Sequence, residues 1–377
     1  MNAEELRGLI IHSLQNQGFS IKGRRILPPT ELDKNKVRDL HTSAVKHRIE
    51  KFAKTLFSYE PRLLERLATG RKVFPERIEP KLVEVKRGSE DELLFRYACL
   101  HWSIPVSSGY GRRLRFLVID RQNEKLIGLF GLGDPVFSLS SRDNWIGWDK
   151  ATRRDRLHHV MDAFVLGAVP PYSFLLCGKL VAMLAASDEV RDAFKKKYGG
   201  RQSIINQKRL DARLALLTTT SALGRSSIYN RMRFREQPLY TSVGFTQGSG
   251  EFHFSNGLYG ALSDYAEQYC EPTAKQKQWG TGFRSRREVI RKCLAEVGLS
   301  TEWLYHGIRR EVFVVPLAQN TRQFLRGEHS KLMWKSLPAP DIFLEFRKRW
   351  LIPRSQRDLR YLDFKPIQYQ LWSRKGL

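Results

Sequence analysis

Leu223-Gly224-Arg225-Ser226-Ser227-Ile228-Tyr229-Asn230-Arg231-Met232, followed by Arg233, Phe234 and Arg235, is the stretch whose reading decides the fold. Small residues opening a helix, with Tyr and Arg on its face, suit the recognition helix of a helix-turn-helix. The same residues suit a short helix between two strands of an α/β layer. The preceding residues discriminate. A helix-turn-helix needs a stable first helix, and its place is taken by Leu216, Leu217, Thr218, Thr219 and Thr220. Consecutive threonines favour a pleated strand, and the turn is shorter than the motif requires. Strand, short helix, strand is the expected order, with PLYTSVGFTQG (238–248) as the second strand.

Upstream, the texture is that of an α/β core. KLVEVKRG (81–88) alternates as a strand, Glu90 to Trp102 reads as a helix, and 112–134 reads as a hairpin turning at Arg121–Glu124. A loop holding RDNWIGW (142–148) leads to a short helix from Ala151 to Leu157 and a strand, VMDAFVLGAVP (160–170). Ser173 to Ala186 is an apolar helix, and DEVRDAFKKKYGG (188–200) a charged one stopped by paired glycines. Residues 1–80 are expected to be helical, with an apolar face on Glu4–Gln17 and a long helical segment capped by Thr30 and stopped by Gly70. Lys46, Arg48, Lys51 and Lys54 give that segment a basic face, which fits solvent and phosphate equally well. The expected class is α+β: a helical region over 1–80, an α/β core over 81–257, and a basic, mostly helical extension over 258–377.

The order of elements from Lys81 to Phe254 resembles the core of GNAT-type acyltransferases, with Tyr229 or Tyr240 near the acid position and Gly244-Phe245 as the terminal pair. That resemblance implies a glycine-rich loop holding a cofactor pyrophosphate at a helix start. The corresponding stretch is VPPYSFLLCGKL (169–180), where two prolines remove N–H donors and Tyr172, Phe174 and Leu175 replace glycines. No cofactor is therefore assigned.

Charge is the strongest global signal. The 377 residues carry 65 Lys/Arg against 39 Asp/Glu, a net +26. Such an excess calls for a polyanionic partner, nucleic acid first of all and DNA by preference. From Glu271 to Leu377 there are 22 Lys/Arg against 10 Asp/Glu, interleaved with Trp279, Phe283, Trp303, Trp334, Trp350 and Trp372, a mixture suited to phosphate contact and base stacking. Four separated cysteines without a CxxC pair fit a reducing cytoplasm. The amphipathic start, acidic early, is not a signal peptide. The apolar stretch from Ala163 to Ala186 is broken by Gly167, Pro170, Pro171, Gly178 and Lys179, so no membrane span is expected.

Two stretches carry candidate site residues. RDNWIGWDKATRRDRLHHV (142–160) sets Arg142, Trp145, Trp148, Arg153 and Arg154 together. They form either a stacking platform bordered by arginines or a loop pinned by buried Trp and an Arg142–Asp143 ion pair. In the opening stretch, Arg225, Ser226, Ser227, Tyr229, Arg231, Arg233 and Arg235 form either a phosphate site or a plain surface helix. Adjacent His158 and His159 point apart in a strand, so no metal is assigned. Glu251 and His253 share a face without a nucleophile motif nearby, and Asp120, Glu124 and Lys125 match a nuclease pattern only loosely. No Walker A, GxGxxG, GxSxG or HExxH motif occurs, and no catalytic residue is assigned.

RDNWIGWD, TTTSALGRSSIYNRMRF (218–234) and VGFTQGSGEFHF (243–254) together resemble the A component of the Druantia anti-phage defence system, over about Tyr97 to Phe254. The resemblance implies a bacterial defence role beside a helicase partner, and carries over no catalytic residue. The expected function is nucleic-acid binding, of DNA by preference, on behalf of that helicase. The alternative is a divergent GNAT-like acyltransferase or a nuclease subunit.

Overall fold

A computed structural model describes the chain apart from residues 108–110, 203–208, 256, 274–277, 281–282 and 374–377. One seven-stranded sheet organises the molecule. Its strands are β1 (Pro80–Glu84), β2 (Arg113–Asp120), β3 (Lys125–Gly133), β4 (Val160–Ala168), β5 (Leu216–Thr220), β6 (Thr241–Phe245) and β7 (Glu311–Pro316). Their spatial order is β6-β7-β5-β4-β3-β2-β1. Every neighbouring pair is antiparallel except β4 with β5, which run parallel. That pairing lasts three residues, Val160–Asp162 against Leu216–Thr218, and then the strands part. The opening stretch thus follows a strand, as its threonines require.

The topology there holds one addition and one correction. The strands flanking the stretch are not neighbours, because β7 is inserted between β5 and β6. The expected helix is a single turn, Tyr229–Arg231. Gly224 adopts a left-handed φ of 79°, and the Ser226 N–H is held by Glu311 Oε2 at 2.9 Å. A hairpin pairing Arg233–Phe234 with Gln237–Pro238 begins at once, so the backbone N–H groups a longer helix would need are already taken.

Among its helices are α1 (Ala3–Asn16), α2 (Lys34–Leu56), α3 (Glu90–Ala98), α4 (Ser140–Ile146), α5 (Lys150–Arg156), α6 (Cys177–Leu184), α7 (Asp188–Tyr198), α8 (Leu258–Tyr269), α9 (Phe283–Glu296), α10 (Thr321–Arg326) and α11 (Ala339–Phe346), beside further short helical segments such as Glu60–Leu64 and Ile352–Arg357. A capping box between Asn2 and Glu5 starts α1. Asp33, not Thr30, caps α2, its carboxylate accepting from the Lys36 N–H at 2.7 Å; an anionic cap also complements the positive helix end. RDNWIGW is not a loop. Its first residues lie in α4, which Gly147 ends with φ 81°. The apolar helix starts at Cys177 instead of Ser173, since the chain around Pro170 and Pro171 lacks two N–H donors.

Both sheet faces are covered. Phe116, Phe130, Met161, Leu217 and Phe313 pack on one side against Leu180, Val181, Phe194 and Phe346 of α6, α7 and α11. On the other side, Leu117, Leu129 and Val165 meet Leu94 and Phe95 of α3 and Leu56 of α2. Nearer β5, Leu216 and Val314 meet Ile146 and Phe324. A separate helical cluster joins Leu6 and Ile10 of α1 to Leu262 and Ile290 of α8 and α9. No helix among the described residues is long and apolar enough to cross a membrane.

Candidate functional site

A cleft of about 1560 Å³ opens where β4 and β5 part. Asp162 of β4 and Thr218 and Thr220 of β5 lie at its base, and α2 contributes His41, His47, Arg48, Lys51 and Phe52. Arg286 and Arg287 of α9, Tyr259 of α8, Trp279, and Phe245 with the following loop complete the walls. None of Arg48, Lys51, Arg286 and Arg287 belongs to the two arginine-rich stretches that carry the candidate residues.

The base is a hydrogen-bonded pair. Thr218 Oγ1 donates to Asp162 Oδ1 at 2.7 Å. Desolvation raises the Asp162 carboxyl to about 6, against the Thr218 hydrogen bond and the positive field of Arg142. Beside it, Arg310 donates to His41 Nε2 at 3.2 Å, and its backbone N–H donates to Thr246 Oγ1 at 3.0 Å. Burial, with Arg310 adding to it, lowers His41 to about 4 and so keeps it neutral as an acceptor. His306 is lowered to about 3, chiefly by burial, and its Nδ1 accepts the Ile308 N–H at 3.1 Å. These histidines brace the wall; they do not titrate near neutrality.

The wall cations differ in what they meet. Arg48 donates to the Val106 carbonyl, and Arg286 lies 3.4 Å from Glu251. Lys51 and Arg287 make no ion pair within 4 Å among the described residues. The Glu251–His253 acid–base pairing fails. His253 is fully buried with Nε2 at 2.8 Å from the Trp303 carbonyl, whereas Glu251 faces the cleft.

Of the twelve candidates, only Arg142 touches this cleft, and its guanidinium is occupied. It is completely buried, with Nε donating to Asp143 at 2.8 Å and the terminal nitrogens to the carbonyls of Val136 and Phe137 at 2.9 and 3.1 Å. Asp143 also receives Trp148 Nε1 at 3.0 Å and Arg153 at 2.8 Å. Trp145 and Trp148 pack beside Ile146 and Phe324. Arg154 is exposed and pairs with Asp155 at 3.4 Å.

The other candidates separate in the same way. Arg225, Ser226, Ser227 and Arg231 line a second hollow of about 450 Å³ with Asn230 and Lys34 of α2. Ser226 is a positioning residue, its Oγ accepting from the N–H groups of Ile228 and Tyr229 at 3.3 and 3.5 Å. Tyr229 stacks on Tyr240 at 4.9 Å and, with Phe313, belongs to the core. Arg235 pairs with Asp341 at 2.7 Å, and Arg233 donates to the Glu236 carbonyl. Tyr240 donates to the Ala182 carbonyl at 2.8 Å in the interior, and burial pushes the Tyr229 hydroxyl up to about 12. Neither tyrosine stands in the cleft. Among the C-terminal aromatics, Trp303 and Trp372 are core residues, while Trp279 faces the cleft. The Phe283 side chain lies outside the described residues.

No group of His, Cys, Asp and Glu among the described residues is arranged to hold a metal ion. The cleft can attract an anion along its walls, stack planar rings, and accept hydrogen bonds at its base.

No solved structure matches the chain. The family model described as Druantia protein DruA matches residues 31–327. The Druantia protein DruA of Escherichia coli (strain UMEA 4076-1) is 40% identical over 374 residues, covering 99% of this chain and 91% of the relative. With a family match that takes in both sides of the cleft and a relative aligned almost end to end, the chain belongs to the Druantia DruA family of anti-phage defence components.

Proposed function

We propose that this Druantia component binds nucleic acid, DNA by preference, in the cleft beside β4 and β5 and presents it to a partner helicase. The observation that carries this reading is the convergence of Arg48, Lys51, Arg286 and Arg287 from two separate helices on one cleft that also holds Phe52, Tyr259 and Trp279. Cations from both walls supply phosphate contacts, and the rings supply stacking surfaces. A net charge of +26 adds long-range attraction for any polyanion. Arg225 and Arg231, with Lys34, offer a second phosphate contact in the smaller hollow. Arg142, Arg153 and Trp148 support the site from within.

Electrophoretic shift at two salt concentrations tests the reading. Lys51→Glu combined with Arg287→Glu is expected to weaken DNA binding at least about tenfold and to flatten the dependence of log affinity on log salt by about one to two. Wild-type affinity that does not respond to salt would remove the reading. A second reading, a divergent GNAT-like enzyme, draws on the parting of a parallel strand pair next to an irregular register between Gly131 and Leu132. Micromolar binding of acetyl-CoA by calorimetry would move the assignment to it, although the loop after β4 offers no glycine-lined cradle.

A further inference from the structure

We infer that the cleft takes a single-stranded polynucleotide, base-first, with its sugar-phosphate backbone along the α2 wall. This rests on the nucleic-acid reading above and names the form that the nucleic acid takes.

Three observations carry it. The first is how charge is distributed with depth. Lys51 stands exposed on the α2 wall and Arg287 half-buried on the opposite one, where Glu251 is taken up by Arg286, while the Asp162 carboxyl lies between β4 and β5 with Thr218 as its partner. A duplex presents phosphates as its outermost atoms, so any duplex entering deeply would bring phosphate toward that carboxylate. A single strand can leave its phosphates at the walls and turn its bases inward. Base amino and imino groups are hydrogen-bond donors, and a carboxylate is an acceptor for them.

The second is the pairing of rings with cations. The Arg286 guanidinium lies 4.2 Å from the Tyr259 ring centroid, and Arg48 lies 5.7 Å from that of Phe52. Each pair puts positive charge beside an aromatic surface, the combination that holds an unpaired base and its phosphate together. In a duplex the base faces are already stacked on one another and are closed to such rings.

The third is the length of the α2 wall. Lys34, His41 and Arg48 recur every seven residues and therefore share one helix face. Lys34 lines the smaller hollow with Arg225 and Arg231, and Arg48 lines the cleft. Fourteen residues of helix span about 21 Å, a distance that about six stacked nucleotides cover. One helix thus joins the two cation-lined hollows over the reach of a short strand.

Fluorescence anisotropy of the full chain tests this with three labelled oligomers of equal length: a single DNA strand, its duplex, and an abasic strand. At physiological salt the single strand is expected to bind at least about tenfold more tightly than either of the others. Asp162→Asn keeps an acceptor for Thr218 and is expected to cut the preference for the single strand over the abasic strand to under about threefold. It does so by removing the charge that repels phosphate from the base of the cleft. Tyr259→Leu, on the wall, is expected to reduce the same ratio and stands in if the Asp162 variant misfolds. Equal affinity for the single strand and either comparison oligomer, or a ratio unmoved by these variants, would overturn the inference and leave nucleic-acid binding intact. Failure to bind any of the three at low salt would overturn both.

Discussion

Arg142 and Arg287 belong to equally arginine-rich stretches, yet the fold uses them in opposite ways. Arg142 is wholly enclosed, with Asp143 and two backbone carbonyls taking up its guanidinium. Arg287 lines the cleft and makes no ion pair within 4 Å among the described residues. The difference lies in the neighbours. An acid next in sequence, with Trp148 and Arg153 close behind, closes a network around Asp143. The proposed recognition surface instead draws its cations from two separate helices, α2 and α9, and there Arg286 alone of the four is paired with an acid, Glu251.

The sharpest way to break this comparison is to remove Arg142. Arg142→Leu keeps apolar bulk but leaves the Val136 and Phe137 carbonyls without their donor and weakens the compensation of Asp143. Breaking one side of a buried, hydrogen-bonded ion pair costs about 3–5 kcal/mol. Chemical denaturation should show a loss of this size. A variant of normal stability that has lost DNA binding would place Arg142 in direct contact with ligand and erase the contrast.

A smaller effect follows from Asp162, the one carboxylate that the cleft holds at its base. Its folded pKa of about 6 lies above the ordinary 3.8, so the native state binds this proton more tightly than the unfolded chain does. Stability from this group is greatest below about pH 4, falls as pH rises through about 6, and stays low above that. Asp162→Asn removes the titration. Its melting temperature should exceed that of the parent protein at pH 8, by the equivalent of about 3 kcal/mol, and approach it near pH 4. A constant difference across that range would mean that Asp162 is ionised throughout and well solvated.

Much of the sheet was legible because its signals are local. The Arg121–Glu124 turn between two apolar runs marked the β2–β3 hairpin, and Thr218–Thr220 marked β5 against a helix. What was hidden was non-local. Nothing around Glu311 indicates that its strand is threaded between β5 and β6; that placement comes from Val312, Val314 and Phe313 packing on both sheet faces. The cleft was hidden for the same reason, since Asp162 and Thr218 meet across 56 residues. The basic face of α2 was visible, as Arg48 and Lys51, and so was the basic, Trp-bearing stretch that holds Trp279, Arg286 and Arg287, but not that the two face each other. Clustering along the chain pointed to Arg142 and Trp148, whose side chains both meet Asp143.

Arg225 and Arg231 offer the finest test of the contrast, because they sit in one of the arginine-rich stretches yet face a hollow. Both are exposed, and Arg231 adds its positive field to that of Arg349 in lowering Lys179, after burial as the larger cause. Replacing them relieves repulsion instead of breaking an ion pair, so Arg225→Ala with Arg231→Ala should leave stability within about 0.5 kcal/mol of the parent. The double variant removes two phosphate-binding cations from the far end of α2. DNA affinity should therefore fall about three- to tenfold, equally across sequences, and the salt dependence should flatten by about one to two. Thermal melting together with a salt titration separates the outcomes. A large fall in melting temperature would assign these arginines to the inward-facing class of Arg142, whereas unchanged affinity would confine recognition to the cleft and shorten the track to the Arg48 end of the helix.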